Sequence, residues 1–352
     1  LQITDIEEFD LDNTGQELNP QSSFFLSPDG EKVAVFVPGS VCIYQSNGKD
    51  LGCVEDEENL ARIDPRSVSW SPDGKYLVFT EYFTKFLIEP DLWLVNVEKF
   101  TIKDITDDDI VGNVLREEDA LVDIFPQWVE NGKKIAFVRM QMGDDGETVL
   151  CTIEPESKKV EEGETLPTRG LNDVKFSPDG KLYAYSSRDE GYNTVYVGQM
   201  SGGKADLWYE AENYIYEMTF SASGNYLMVQ EVAPQTSLNF SIAHIFAVSS
   251  AEEVQTIEGD LQDRLLLKKF AWSPSGSAFV YTMMNQEEHI LTVYAGKPGE
   301  KPREMDVLDD YPIGLNSLAN DASLNTAWAA NSTILLYDMA EDHLVQLMLE
   351  EK

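Results

Sequence analysis

The chain has 352 residues, of which 42% are hydrophobic and 25% are charged, a composition typical of a soluble globular protein. Its 63 acidic and 26 basic residues give a formal net charge of −37. This charge would repel a phosphate backbone, so we expect no nucleic-acid partner. No stretch reaches the roughly 18 consecutive apolar residues that a membrane-spanning helix requires.

Residues 1–21 precede the first repeated unit and are predicted to form a separate N-terminal segment. Two structures fit this segment: a strand that joins the last unit and covers its exposed sheet edge, or a tether from a lipid-anchored N-terminus. The chain starts at Leu1 rather than at Met, so we expect that a leader was removed before it. Under the second alternative, this N-terminus is the only place where a membrane tether is expected.

From residue 22 onward, a turn motif recurs along the chain. Its clearest copies are FLSPDGEKVAVF, SWSPDGKYLVFT, KFSPDGKLYAYS and AWSPSGSAFVYT. The turn glycines lie 44 to 58 residues apart, a period typical of propeller blades. They are Gly30, Gly74, Gly132, Gly180, Gly224 and Gly276. A degenerate seventh copy of the motif occupies residues 315–330, with Leu324 at the glycine position.

Each copy predicts the same arrangement of strands. An apolar strand ends at Ser, Pro and Asp reverse the chain, and Gly takes the positive φ angle that other residues adopt only at a cost. A second strand follows, then a third such as DLWLVNV or NTVYVGQ, and then a weaker fourth. Four short antiparallel strands per unit predict an all-β fold, a single β-propeller domain over residues 22–352. The pattern favours seven blades and admits six.

A four-stranded sheet has two apolar faces, so neighbouring blades must pack against each other. The aromatic residues that precede the turns are expected to fill the space between blades, not to bind a cofactor. These residues are Trp70, Trp128, Phe176, Phe220 and Trp272.

The W/F-S-P-D-G-K signature followed by an apolar strand resembles the TolB-type, WD-like propeller repeat. The same repeat builds the propeller domains of dipeptidyl-peptidase-type serine peptidases. The resemblance covers residues 22–347 and departs from the pattern at VENGK, residues 129–133, and at SASGN, residues 221–225. It implies an extracytoplasmic interaction scaffold, such as a secreted protein or a lipoprotein of the bacterial envelope, and it names no ligand.

The cysteines lie beside a predicted hairpin. In VCIYQSNGKDLGCV, the Asn47-Gly48 pair predicts a type I′ turn with Ser46 facing Lys49. Counting outward places Cys42 opposite Cys53, at a separation that a disulfide accepts. A disulfide would place the protein outside the cytoplasm; two reduced cysteines are the alternative. Cys151 is expected to be a buried apolar residue.

The sequence carries few signals of catalysis. His244, His289 and His343 lie far apart in the repeat and lack metal-ligand spacing. Neither a G-x-S-x-G nucleophile motif nor a Gly-rich phosphate loop occurs. We therefore predict a protein that is not an enzyme and holds no metal or cofactor.

Arginines and lysines occupy different parts of the repeat. In a propeller, the turns after the first and third strands lie on one face, and the loops after the second and fourth strands lie on the other. Lysines such as Lys75 and Lys181 follow the S-P-D-G turns, whereas most arginines fall in the loops after second and fourth strands. Because arginine binds carboxylates and phosphates through a planar fork, this distribution predicts a recognition face opposite the turns. Pairing of each arginine with a neighbouring Asp or Glu is the alternative.

The loops predicted on the same face are rich in aromatic residues. Exposed aromatic side chains beside arginines are frequent in protein-binding hot spots. The candidate partner-binding residues are Tyr82, Phe83, Phe86, Arg139, Arg188, Tyr192, Arg62 and Arg169. For Phe86, packing within its own hairpin is an equal alternative.

Two functional hypotheses remain. The first is a non-catalytic, monomeric, extracytoplasmic propeller that binds a protein, peptide or glycan through the face opposite the S-P-D-G turns. The second is a hydrolase or lyase with a site in a central pocket, or the propeller part of a serine peptidase without its hydrolase domain. Three or more acidic or histidine side chains converging in such a pocket would favour the enzyme, and a broad patch of aromatic residues and arginines would favour the binding protein.

Overall fold

The computed structural model describes the chain with several gaps. The described residues are 2–9, 23–57, 60–81, 90–107, 120–143, 146–157, 159–168, 170–189, 192–235, 238–260, 265–285, 290–305, 333–338 and 343–350. Within these ranges, no helix has the length and apolar character needed to cross a membrane.

The regular structure of the described residues is almost entirely β, as predicted. The strands are β1 (Gln2–Phe9), β2 (Ser23–Leu26), β3 (Lys32–Val37), β4 (Ser40–Gln45), β5 (Asp50–Glu55), β6 (Ser69–Trp70), β7 (Tyr76–Thr80), β8 (Leu92–Asn96), β9 (Thr101–Asp104), β10 (Leu121–Val129), β11 (Lys134–Gln141), β12 (Thr148–Ile153), β13 (Val160–Leu166), β14 (Leu171–Phe176), β15 (Leu182–Asp189), β16 (Tyr192–Gln199), β17 (Asp206–Ala211), β18 (Tyr214–Phe220), β19 (Tyr226–Gln235), β20 (Leu238–Ala247), β21 (Glu252–Glu258), β22 (Leu265–Trp272), β23 (Phe279–Asn285), β24 (Ile290–Gly296), β25 (Arg303–Met305), β26 (Thr333–Asp338) and β27 (His343–Glu350). Short 3-10 helices occur at Leu60–Arg62, Pro65–Ser67 and Glu130–Gly132.

The strands form blades of four consecutive antiparallel strands. These blades are β2–β5, β6–β9, β10–β13, β14–β17, β18–β21 and β22–β25. The described residues thus show six four-stranded blades, the number that the repeat pattern admitted beside seven. The degenerate seventh copy at residues 315–330 lies outside the described residues.

A further sheet has three strands in the order β1-β27-β26. Strand β1 pairs antiparallel with β27, from Gln2 opposite Glu350 to Phe9 opposite Leu344. This pairing is the one expected if the N-terminal segment forms a strand that joins the last unit, the first of the two alternatives given for it. Residues 10–22 lie outside the described residues, so a domain boundary at residue 21 stays a prediction.

The chain divides into two compact units. The first unit comprises residues 1–53 and 221–352, and the second comprises residues 54–220. The second unit contains the blades β6–β9, β10–β13 and β14–β17, followed by strand β18. It carries most of the predicted site residues.

The S-P-D-G sequence folds into its turn through local hydrogen bonds. In the turn at residues 71–74, the N–H of Gly74 donates to the Ser71 carbonyl at 2.9 Å, and Ser71 Oγ donates to the Asp73 carboxylate at 2.6 Å. The N–H of Tyr76 donates back to Ser71 Oγ at 2.9 Å, which starts the second strand. Gly74 has a φ of +65°, a conformation that favours glycine. The motif therefore specifies a chain reversal by itself.

Turns of neighbouring blades lie side by side within the second unit. The N–H of Glu130 donates to the Pro178 carbonyl at 3.0 Å. Gly132 lies so close to Pro72 that a Cβ on it would be 3.0 Å from Pro72 Cδ. These contacts bring the turns of three blades to one side of the unit, so the far ends of their second strands lie on the other side.

Three of the five aromatic residues before the turns, Trp128, Phe176 and Trp272, pack against residues of the preceding blade, as predicted. Trp128 belongs to a buried cluster with Val78 of the preceding blade, and Phe176 to one with Val138 of its preceding blade. Trp128, Phe176, Phe220 and Trp272 are buried, whereas Trp70 is half-buried. The apolar core of the second unit therefore lies between successive sheets.

The hairpin between β4 and β5 differs from the predicted type I′ turn. The N–H of Gln45 donates to the Lys49 carbonyl at 2.8 Å, so Gln45, not Ser46, faces Lys49. Gly48 has a φ of +84°, but Asn47 has no positive φ, and a type I′ turn needs both. The type I′ prediction was therefore wrong. Cys42 and Cys53 are nonetheless joined by a disulfide, with their Cα atoms 4.0 Å apart.

Candidate functional site

The candidate site lies where the second strands of the second unit end, away from the turns. Strand β11 starts beside its turn at Lys134, and β15 starts beside its turn at Leu182. At about 3.3 Å per residue, Arg139 and Arg188 lie roughly 16 to 20 Å further along these strands. We call the set Glu81, Asp91, Asp104, Asp123, Arg139 and Arg188 the strand-end region.

The structure places the predicted partner-binding residues unevenly. Tyr82, Phe83, Phe86 and Arg169 lie outside the described residues. The backbone alone is described for Arg62, which ends a 3-10 helix, and for Tyr192, which opens β16 opposite Asp189. Arg139 and Arg188 are described in full, and they have different environments. The partner-binding role of all eight residues stays a prediction.

Arg139 is bound to a buried aspartate. The two residues lie directly opposite each other in β10 and β11. Arg139 Nε donates to Asp123 Oδ1 at 2.8 Å, and Nη2 donates to Oδ2 at 2.6 Å. The Asp123 side chain is 1% exposed and that of Arg139 is 14% exposed. The guanidinium thus serves as the counter-ion of a buried carboxylate within its own blade.

Arg188 is exposed at the end of β15. Its backbone N–H donates to the Gly170 carbonyl at 3.2 Å, which anchors the strand end. Among the carboxylates whose side chains are described, none lies within ion-pair distance of the Arg188 guanidinium; the side chains of Asp189 and Glu190 are not among them. The arginine pairing alternative thus holds for Arg139, and for Arg188 it stays untested.

Polar groups without partners surround the Arg188 strand end. Ser186 lies on the same face of β15 as Arg188, and Asn193 lies opposite Arg188 in β16. Asn172 lies in a bulge of β14 beside Ser186. Ser186 Oγ, Asn172 Nδ2 and Asn193 Oδ1 are buried and have no hydrogen-bond partner among the described residues. Such groups in native proteins are usually bound to water or to a ligand.

Three carboxyl groups of the strand-end region, those of Glu81, Asp91 and Asp104, converge at the end of blade β6–β9. Glu81 follows β7 and accepts the backbone N–H of Asp91 at 3.0 Å. Asp91 accepts the Thr106 hydroxyl at 3.1 Å. Asp104 accepts the backbone N–H groups of Thr106 and Asp107 at 3.0 and 2.9 Å. Residues that are far apart in sequence thus form one acidic cluster.

Burial changes the acidity of this cluster. Loss of hydration raises the pKa of Glu81 to about 7. Burial, followed by the negative charge of Asp104, raises the pKa of Asp91 to about 8, and burial also raises the pKa of Asp104. Carboxyl groups that keep a proton near neutral pH can donate or accept protons in catalysis. The sequence offered no sign of this cluster because each carboxylate is in a different strand or loop.

Among the described part of the chain, no group of three or more His, Cys, Asp or Glu side chains is arranged to hold a metal ion. Of the three histidines, only His244 has a described side chain.

Comparisons with known proteins identify the fold. No family model matches the sequence, and no curated protein matches it. Oligogalacturonate lyase from Vibrio parahaemolyticus superposes with a TM-score of 0.63 at 11% identity, covering 100% of this chain and 98% of that one. The β-propeller domain of the Trilobed protease from Pyrococcus furiosus superposes with a TM-score of 0.56 at 12% identity, covering 94% of both chains.

TolB from Acinetobacter baumannii is also among the similar structures. The TM-score is 0.47 at 16% identity, with 79% of this chain and 61% of that one covered. The chain thus matches less than two thirds of the length of this TolB. At such identities the similarities establish architecture alone, and the protein has the β-propeller fold that its repeated turns predict.

Proposed function

We propose that the protein is a non-catalytic, extracytoplasmic propeller that binds a protein, peptide or glycan through the strand-end region. The observation that carries this proposal is the exposed guanidinium of Arg188, which has no carboxylate partner among the described residues. The molecule has 63 acidic side chains and a net charge of −37. Arg188 thus places a positive charge, unpaired among the described side chains, at the end of a second strand of this acidic molecule.

The surroundings of Arg188 support recognition of an anionic or strongly polar group. A guanidinium binds a carboxylate through two parallel hydrogen bonds. Ser186 Oγ and Asn172 Nδ2 are buried near this strand end and have no partner among the described residues, so the proposed contact with the partner rests on the exposed guanidinium of Arg188.

The disulfide between Cys42 and Cys53 supports a location outside the cytoplasm. Disulfides persist in oxidising compartments and are rare in the cytosol. A secreted protein and an envelope-attached protein are both compatible with this argument.

A pull-down with matched variants tests the binding function. Wild type, Arg188→Ala and Lys181→Ala would be immobilised and exposed to an extracellular or envelope extract of the source cells. Lys181 is a suitable control because its side chain is 80% exposed and it follows the turn of the same blade. We expect Arg188→Ala to lose a ligand that wild type and Lys181→Ala retain. Equal recovery by all three proteins would contradict the proposal.

A hydrolase or lyase is the second candidate. It is favoured by the acidic cluster, in which the pKa of Glu81 is raised to about 7 and that of Asp91 to about 8. Wild type, Asp91→Asn and the exposed-site control Asp206→Asn would be assayed on uronate polysaccharides and on peptides. The binding function predicts no turnover by wild type. Turnover that is lost only in Asp91→Asn would establish the enzyme instead.

A further inference from the structure

A groove on the turn side of the second unit is independent of the strand-end region. It lies between the blades β6–β9 and β10–β13 and has a volume of about 270 Å³. Its walls include the turn residue Asp73, the first residue of β7, Tyr76, and residues of the loop between β12 and β13. Nothing in the proposed function uses this groove.

The floor of the groove is aromatic. The rings of Tyr76 and Trp128 have their centroids 6.2 Å apart and are tilted by 36°. Trp128 Nε1 donates to the Ser69 carbonyl at 3.1 Å, which fixes the indole in place. The half-buried Pro155 adds an apolar wall. Trp128 is only 6% exposed and Tyr76 is half-buried, so Tyr76 supplies the more accessible ring of this floor.

The rim of the groove is acidic. Glu154 and Glu156 are exposed, and neither has an ion-pair partner within the described ranges. The Asp73 side chain is 56% exposed, and its carboxylate lies 3.9 Å from Lys75 Nζ. Three carboxylates thus face the groove from both sides.

One ammonium group, that of Lys133, also lines the groove. Lys133 lacks the aspartate partner that the lysines of the regular turns have, and the sequence explains why. In the regular turns, the aspartate pairs with the lysine that follows, as Asp179 does with Lys181 at 2.7 Å. The turn at residues 129–133 has Asn131 in place of that aspartate. Lys133 and Lys75, the partner of Asp73, offset two of the three carboxylates, so the groove keeps one carboxylate in excess.

We propose that this groove binds an arginine or lysine side chain from a basic, extended segment of a partner protein. A cation is attracted to the face of an aromatic ring, and its N–H groups pair with carboxylates on the rim. The net charge of −37 adds long-range attraction for a basic partner and raises its association rate. The dimensions suit one long side chain with its neighbouring backbone.

Calorimetric titration with short synthetic peptides tests this proposal. The probe is an acetylated and amidated peptide of alternating glycine and arginine, and its control replaces each arginine with uncharged citrulline. We expect wild type to bind the arginine peptide at low ionic strength at least tenfold more tightly than the citrulline peptide. Absence of detectable binding, or equal affinity for both peptides, would overturn the proposal.

Charge-matched variants distinguish binding in the groove from general electrostatic attraction of a basic peptide to an acidic protein. The double variant Glu154→Gln/Glu156→Gln removes two rim carboxylates, and Glu210→Gln/Glu212→Gln removes two exposed carboxylates elsewhere in the same unit. We expect at least a tenfold loss of affinity for the first and less than a twofold loss for the second. Equal losses in both would show that affinity follows net charge and not the groove.

A third variant tests the aromatic floor. Tyr76→Leu keeps an apolar side chain and removes one ring, and its melting temperature reports whether the blade still folds. A folded variant should bind the arginine peptide at least threefold more weakly than wild type. Unchanged affinity in this variant would contradict the cation–ring contact.

Discussion

Asp123 lies directly opposite Arg139 across β10 and β11, and two hydrogen bonds join the carboxylate to the guanidinium. Because Asp123 is 1% exposed, Arg139→Ala would remove the cationic partner of a buried carboxylate. We expect the free energy of unfolding to fall by about 3–5 kcal/mol. Denaturant unfolding measures this change.

Arg66 provides the control for this prediction. Its guanidinium pairs with Asp64 at 2.9 Å, but its side chain is 62% exposed. Arg66→Ala should therefore cost less than about 1 kcal/mol. If the two alanine variants were equally stable, the pair with Asp123 would not have the structural role assigned here.

Two turn glycines offer a comparison in the first unit. Gly276 has a φ of +66° and Gly224 a φ of +71°, so alanine is strained at both positions, by about 1–2 kcal/mol. A Cβ on Gly276 would lie 2.3 Å from the backbone nitrogen of Ser223, whereas a Cβ on Gly224 would meet nothing within 4 Å. We expect Gly276→Ala to lower the unfolding free energy by about 1–3 kcal/mol more than Gly224→Ala. Urea unfolding of both variants measures the difference, and equal losses would contradict the close contact between turns.

His244 gives the stability of the first unit a pH dependence. Its Nδ1 lies 2.9 Å from Glu253 Oε1, and its Nε2 lies 3.4 Å from Glu231 Oε1. Burial alone would lower the pKa of His244, but the two carboxylates outweigh it and raise the pKa above its ordinary value of 6.5. The protonated ring therefore stabilises the fold at low pH.

The sign of this effect follows from the raised pKa. The contribution is fully present below pH 6.5, the reference pKa of histidine, and is lost as the pH rises through the higher folded-state value. We expect His244→Gln to be less stable than wild type at pH 5.5, with the difference shrinking as the pH rises. Unfolding curves between pH 5.5 and 9 test this, and a difference that is constant with pH would refute it.

The acidic cluster predicts a second pH dependence, in the second unit. The pKa of Asp91 is raised from 3.8 to about 8, so the folded state holds a proton that the unfolded state releases. The stabilisation that the protonated Asp91 gives to the folded state is fully present below pH 3.8 and is lost as the pH rises through about 8. Asp91→Asn, which imitates the protonated group, should gain stability relative to wild type between pH 5 and pH 9. The exposed-site variant Asp206→Asn serves as the control, and parallel pH profiles for both variants would contradict the prediction.

The disulfide between Cys42 and Cys53 closes a short loop, since the two residues are 11 positions apart. Replacing both cysteines with serine should lower the unfolding free energy by about 2–3 kcal/mol. Mass measurement under non-reducing conditions should find both thiols absent in wild type. Two free thiols would remove the argument for an extracytoplasmic location.

The architecture was predictable because its signals are local. Each S-P-D-G turn closes through bonds among neighbouring residues, such as Ser71 with Asp73 and Tyr76, and the repeat period then indicates blades. The pairing of Arg139 was not predictable in this way. Counting back from the turn places Ile124 opposite Arg139, but the register shifts by one residue between Ile124 and Gln127, where Phe125 has a φ of +58°. This shift brings Asp123 opposite Arg139.

The acidic cluster could not be predicted from the sequence, for a different reason. Glu81, Asp91 and Asp104 belong to three segments whose ends meet only once the blade has formed. The sequence shows three unremarkable acidic residues, and their raised pKa values depend on burial that only the fold supplies. The exposure of Arg188 likewise required the structure, because sequence position alone does not give the exposed fraction of a side chain at a strand end.

Recognition through Arg188 can be measured with the partner recovered in the pull-down. Dissociation constants would be measured for wild type, Arg188→Ala, Arg188→Lys and Lys181→Ala. We expect Arg188→Ala to bind at least tenfold more weakly, Arg188→Lys to be intermediate because it keeps the charge but loses the planar fork, and Lys181→Ala to match wild type. Wild-type affinity in Arg188→Ala, or an equal loss in Lys181→Ala, would contradict recognition through the strand-end region.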